Sequence, residues 1–230
     1  MNHPKNAHVS TLAALLMFLV AVAPALRSEC RADGDRRREG AARFQRRSFD
    51  AENTRFVYRI RRGDETAVVL VPGSFNDAAQ WSDVVPELGE NWTVVLANVR
   101  GHGGSWPPPK NGTIEQFARD VGRIADDAGL DRFYIGGHSI GGMIAIEVGR
   151  AFPRRVRGVI SIEGWTNAAV QREAFGAAGT QLGPELQKRR EELRAAATRG
   201  WTDLQRKDFA RIWKMWDGEE FLKTTALPVL

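Results

Sequence analysis

The sequence predicts an α/β fold, a mostly parallel sheet with helices on both faces and a helical cap over one end. Three observations carry this. Between Phe56 and Ile162, short β-branched runs alternate with stretches of helical periodicity, the pattern of a parallel sheet covered on both sides. The pentapeptide Gly137-His138-Ser139-Ile140-Gly141 stands between the apolar runs Phe133-Tyr134-Ile135 and Met143-Ile144-Ala145-Ile146. Small residues on either side of Ser139 suit a tight strand-to-helix turn that holds the serine out at the strand's C-terminal end. After Trp165 the rhythm changes, and residues 166–222 give helical signals without a strand.

Each element has its own justification. Residues 55–61 alternate polar and apolar side chains, as a half-exposed strand does. Residues 66–71 and 93–99 are buried β-branched runs, the first ending at Pro72-Gly73. Trp81, Val84, Val85 and Leu88 recur between them at helical spacing. Thr113 to Gln116 is a capping box opening a helix with Ile114, Phe117, Val121 and Ile124 on one face. A strand over 132–136 leads into the pentapeptide, a buried helix runs from 140 to about 151, and 156–162 is the next strand. In the cap, a helix runs roughly from 184 to 199 and stops at Gly200. A second capping box, Thr202 to Gln205, opens a helix carrying Phe209, Ile212, Trp213 and Trp216. Residues 224–230 read as the start of one more buried strand, with the last strand and helix units of such a fold missing.

The expected division is therefore a core over 55–165, a cap over 166–222 and the start of a truncated core strand over 223–230. Two segments precede them. Residues 1–26 pair a short polar start with an almost wholly apolar run from Thr11 to Leu26, and Ala23-Pro24-Ala25 offers small residues for cleavage. This reads as a secretory signal peptide, the run being short of the roughly 20 residues that span a membrane, with an uncleaved N-terminal anchor as the alternative. The 230-residue chain has net charge +5, while residues 27–62 alone hold 12 arginines and 6 acids. The positive charge therefore belongs to the segment after the signal and not to the domain carrying Ser139. Residues 27–54 read as a basic, disordered leader whose reach is weak contact with a membrane or cell surface, and nucleic acid is not an expected partner. A lone Cys30 excludes an internal disulfide. No metal-ligand spacing, phosphate loop or dinucleotide fingerprint is present, so neither a metal nor a cofactor is expected.

A serine presented on such a turn, with a helix N-terminus beneath any negative charge that forms there, is a nucleophile candidate. Three further segments join it. Pro72-Gly73-Ser74-Phe75 followed by Trp81 resembles the oxyanion loop of the α/β-hydrolase fold family, where a His-Gly pair is usual. Asn98-Val99-Arg100-Gly101-His102-Gly103-Gly104-Ser105 resembles its Asp-x-Arg-Gly-His-Gly-x-Ser segment. Phe152-Pro153-Arg154-Arg155-Val156 resembles the turn after its elbow helix. The resemblance spans about residues 55–230 and departs from the family at Pro72 and Asn98. It implies hydrolysis of a carboxylic ester or related small acyl substrate through an acyl-enzyme on Ser139. The backbone N–H groups of Ile140 and Ser74 would form the oxyanion hole, and no cofactor is needed. Glu163 stands where some members place the triad acid. Phe75, Trp165, Trp213 and Trp216 are candidates to line an acyl pocket, although such a stripe also serves to pack a cap onto its core. The family's histidine has no match in this chain. His3 and His8 fall in the expected signal, His102 belongs to a loop where the family uses it structurally, and His138 adjoins the serine and points away from it. The alternative is a non-catalytic binding protein or an inactive, truncated remnant of a hydrolase.

Overall fold

Along the central strand β3 (Thr66–Val71), side chains alternate between two cores. Val69 and Val71 enter one with Phe117, Ile144 and Met143, while Val68 and Leu70 enter the other with Trp81, Val85 and Leu88. Both faces are thus buried, which is why the strand reads as a continuous apolar run. The computed structural model describes residues 44–64, 66–176 and 183–230. The expected signal or anchor over 1–26, and the leader as far as residue 43, lie outside the described residues.

The sheet has six strands in the order β1-β2-β4-β3-β5-β6. These are β1 (Gln45–Ala51), β2 (Thr54–Arg61), β3, β4 (Trp92–Ala97), β5 (Phe133–His138) and β6 (Val156–Ile162). The pairings β1/β2 and β2/β4 are antiparallel, and β4, β3, β5 and β6 are parallel to one another. Helices α1 (Ile114–Asp127) and α2 (Ile140–Ala151) cover the first core. Thr113 caps α1 by accepting from the Gln116 N–H, as the capping box predicts.

The helix expected near residues 81–88 is instead two short 3-10 turns, Ala78–Trp81 and Val85–Glu87, with Pro86 in the second. They bring the same four apolar residues onto the sheet's second face, so the packing signal is right and the element type is not.

The basic leader also ends earlier than its charge suggests. Residues 45–51 form β1, paired with β2 from Gln45↔Ile60 to Ala51↔Thr54, and the Phe49 ring stacks on Phe56 at 5.2 Å. Its arginines lie exposed on the outermost strand, where charge costs little and discourages edge pairing. Behind the hairpin, the buried Arg100 binds the buried Asp120 carboxylate of α1 through Nε and Nη2, at 2.5 and 2.8 Å.

Among the described residues four helices follow β6: α3 (Ala168–Gly176), α4 (Pro184–Ala197), α5 (Asp203–Phe209) and α6 (Glu219–Thr224). The second capping box is present at Thr202 and Gln205, but α5 ends at Phe209, so Trp213 sits in the turns beyond it and Trp216 just after them. Where a C-terminal strand was expected from residue 224, α6 takes up Thr224 and only an isolated bridge, Val159↔Val229, forms. Residues 228–230 then run parallel to β6, with the Val159 N–H donating to the Pro228 carbonyl at 2.9 Å and the Leu230 N–H to the Val159 carbonyl at 3.0 Å. Among the described residues no helix is long and apolar enough to cross a membrane.

Candidate active site

Strand β5 turns into α2 through a single residue, Ser139, at φ 54° and ψ −121°. That conformation is strained for a residue with a side chain and costs on the order of 1–3 kcal/mol. The turn closes only because its neighbours are glycines. A Cβ on Gly137 would collide with the Gly141 carbonyl, and one on Gly141 with the backbone carbonyls of Val71 and Pro72. The elbow and the loop leaving β3 are therefore in direct contact. The Ser139 N–H donates to the Ile162 carbonyl at 2.8 Å, which ties the elbow to the end of β6. The serine side chain is half-buried and caps no helix amide. It stands over the first turn of α2, whose leading N–H groups have no intrahelical acceptor.

The adjacent loop, residues 72–75, has two of its three amides engaged. The Gly73 N–H donates to Gln80 Oε1 at 2.9 Å and the Phe75 N–H to His102 Nε2 at 3.2 Å. Between them, the Ser74 N–H makes no hydrogen bond among the described residues. The loop leaves one amide of this segment available beside the elbow, at the residue the sequence singles out.

His102 is buried with both ring nitrogens engaged. Because Nε2 accepts from Phe75, Nδ1 carries the proton and donates to the Arg100 carbonyl at 3.2 Å. Burial pulls the imidazole pKa down from 6.5 to about 4, so the ring is neutral. Asn98, the other departure from the family pattern, accepts from the Ala78 N–H at 2.8 Å and donates to the Val57 carbonyl at 3.0 Å. It thereby fixes the start of the 3-10 turn behind the loop.

The family profile described as alpha/beta hydrolase fold matches residues 66–211, from β3 through the elbow and into the cap. The chain belongs to this family. It is 33% identical over 112 residues to the protein named "Putative carbamate hydrolase RutD" of Azorhizobium caulinodans, an overlap covering 49% of this chain and 42% of that one. The chain thus spans about two fifths of that curated relative. Two solved structures share the fold: a hydrolase from Pseudomonas aeruginosa PA01 (TM-score 0.63, 20% identity, 80% of this chain and 78% of that one) and the enol-lactonase from Burkholderia xenovorans LB400 (TM-score 0.61, 20% identity, 80% and 79%).

Within this alpha/beta hydrolase, the remaining candidates separate. Glu163 lies just past β6 at φ 54°, exposed, with its carboxylate 3.1 Å from His138 Nε2. The other His138 nitrogen, Nδ1, is buried facing Gly73 and has no hydrogen-bond partner among the described residues. The acid candidate thus faces the residue beside the serine. Trp216 is buried, and its indole N–H donates to the buried Glu147 carboxylate of α2 at 2.9 Å, the packing role that the sequence allowed beside a place in the pocket. Trp165 and Trp213 remain half-buried with ring centroids 6.0 Å apart. Phe75 is half-buried, covered by Phe209 at 5.5 Å and by the Arg194 guanidinium at 5.3 Å.

The sequence reading missed Gln80, Trp201 and Glu147. Trp201 is buried, donates to the Gly101 carbonyl at 3.3 Å and lies edge-on to His102 at 5.3 Å. Its one signal was a large aromatic between the Gly200 helix stop and the Thr202 cap, an unusual place for an exposed side chain. Gln80 gave no signal because its bond to Gly73 depends on how the loop folds back, and the Trp216 partner of Glu147 is 69 residues away. Among the described residues no group of three or more His, Cys, Asp or Glu side chains is placed to hold a metal ion.

Proposed function

We propose that this chain carries the nucleophile and oxyanion hole of a serine hydrolase acting on carboxylic esters or related small acyl substrates. One observation carries the reading: Ser139 sits at a strained φ at the start of α2, on an elbow whose Gly141 abuts the loop with the uncommitted Ser74 N–H. Strain kept at one residue beside unspent donors has a use in catalysis that it lacks in packing. In this reading Ser139 Oγ adds to the acyl carbon as a base takes its proton. The carbonyl oxygen becomes an oxyanion held by the Ile140 and Ser74 amides. Collapse expels the alcohol, which takes the proton back, and water then releases the acid. Each such donor is worth roughly 3–4 kcal/mol to the transition state. The substrate enters against Phe75, Trp165 and Trp213. No step calls for a cofactor.

The base is the part this reading places elsewhere. His102 spends both nitrogens on backbone groups, and His138 faces Glu163 and Gly73. His3 and His8 belong to the apolar N-terminal segment that the same reading assigns to export. The curated relative is more than twice as long as its overlap with this chain, and the reading puts the histidine in the counterpart of that remainder.

The test is labelling with a fluorophosphonate, using protein expressed from its complete open reading frame. Modification mapped to Ser139 and absent in Ser139→Ala supports the hydrolase. A folded protein with an unlabelled Ser139 sinks it and leaves a binding protein on a hydrolase scaffold.

A further inference from the structure

An oxyanion hole works only if its donors are fixed before charge develops. The Ile140 amide is fixed by α2. The Ser74 amide belongs to a short irregular segment, and its neighbours show what holds it: Gln80 takes the Gly73 N–H, and His102 takes the Phe75 N–H. We propose that His102 is a positioning residue, a neutral imidazole clamp that sets the oxyanion loop and makes its geometry depend on the seated cap. The proposal rests on the serine-hydrolase reading of Ser139.

Two features make the clamp specific. First, the imidazole is itself rigidly mounted. Its loop is cross-braced by Gly101 N–H to Ser105 carbonyl at 2.7 Å and Ser105 N–H to His102 carbonyl at 2.9 Å, and Nδ1–H is spent on Arg100. A buried polar ring is costly unless both nitrogens are satisfied, and here they are, one of them by the oxyanion loop. Second, its aromatic walls come from the cap as well as from Phe75, whose ring lies 6.1 Å away. Trp201 and Phe209 of the cap lie 5.3 and 5.2 Å from the ring, and Phe209 also packs on Phe75 at 5.5 Å. The cap therefore touches the clamp and the clamped residue at once. Lifting it would let water compete for His102 Nε2 and free the Phe75 amide.

The experiment compares His102→Leu, which keeps apolar volume without an acceptor, with His102→Gln, which keeps an acceptor. Protein from the complete reading frame is used. In His102→Leu the rate constant for Ser139 acylation by an activated ester falls about tenfold or more, short of the 10²–10³ seen when a donor is lost outright. KM stays within about twofold, and His102→Gln recovers most of the rate. A residue with a merely structural role would shift the unfolding midpoint without this split or this rescue. Nitrogen-15 NMR on the wild-type protein decides the geometry independently of activity. It is expected to show His102 protonated on Nδ1, with coupling from Nε2 to the Phe75 amide across the hydrogen bond. A proton on Nε2, or wild-type acylation in a folded His102→Leu, overturns the clamp. Failure of the wild-type protein to label defeats the Ser139 reading instead, and the tautomer and coupling still judge the clamp.

Discussion

The Trp216 indole N–H donates at 2.9 Å to the Glu147 carboxylate, a buried acid in the middle of α2 that also takes two hydrogen bonds from Arg150. A cap residue thus completes the partners of a core carboxylate. The attachment lies beside the cap's neck, where Asn167 bridges Asp217 and the Gly218 N–H donates to the Thr166 carbonyl at 2.9 Å.

Removing the two partners should have unequal effects. Trp216→Phe keeps an aromatic ring, though a smaller one, and leaves Glu147 bound to Arg150, so it should lower unfolding free energy by about 1–2 kcal/mol. Glu147→Ala removes the acceptor of a buried indole N–H and leaves a void beside it, and should cost about 3 kcal/mol. Urea unfolding measures both. Equal losses would show that the carboxylate is not what fastens Trp216.

The elbow's second glycine gives a sharper case. A methyl group at Gly141 meets two backbone carbonyls, Val71 and Pro72, and backbone does not yield as a side-chain tip does. Gly141→Ala should cost about 3 kcal/mol or more, despite the usual preference of helices for alanine. A variant as stable as the wild type would mean that the loop and the elbow are not in contact as described.

These contacts also show how far the sequence was readable. The strands β3, β4, β5 and β6 and the helices between them were legible in β-branched runs and capping signals, because strand and helix periods are local properties; their order in the sheet was not. The turn around Ser139 was legible because a turn this tight dictates glycines at fixed spacing, while Ile140 and Ser74 were picked out only by resemblance to the family's oxyanion loop and elbow. β1 was hidden by its arginines: strand pairing of residues 45–51 depends on β2 and on Phe49 meeting Phe56, neither visible in a window that reads as charged. Trp213 and Trp216 looked like one helical stripe because periodicity does not record where α5 stops. Which of its two expected roles Trp216 takes, pocket wall or cap packing, was not readable because its partner, Glu147, lies 69 residues away. The cap's seat on His102 was invisible for the same reason: Trp201 and Phe209 meet it only in the folded chain.

Ser139 should reveal the opposition between stability and use. At φ 54° and ψ −121° glycine is relaxed where serine is strained, so Ser139→Gly should raise unfolding free energy by about 1 kcal/mol, after allowing for the extra freedom of glycine in the unfolded chain. The same variant loses all fluorophosphonate labelling if the proposed nucleophile is correct. Denaturant unfolding checks the first part. A destabilised Ser139→Gly would argue that the serine hydroxyl supports the turn, and that the strain is not held for chemistry.

His102 links the site to pH. Its pKa falls from 6.5 in an unfolded chain to about 4 in the folded one, mainly because burial penalises the imidazolium. Between those values the unfolded state binds more protons than the folded state, so stability rises with pH through that window. The contribution is fully present above pH 6.5, begins to fall below it, and is lost once pH drops through about 4. The whole span is on the order of 3 kcal/mol, at 1.36 kcal/mol for each pH unit of displacement. Charging the ring would also replace the acceptor at Nε2 with a donor facing the Phe75 amide, so the loop is released as the stability declines. Carboxylates titrate nearby in pH, and the comparison is therefore with His102→Gln, which keeps an acceptor and cannot protonate there. Unfolding free energies of the two proteins from pH 7 to pH 4 should diverge, the wild type falling more steeply. Parallel curves would place the His102 pKa near its ordinary value and show a solvated ring where the structure has a buried one.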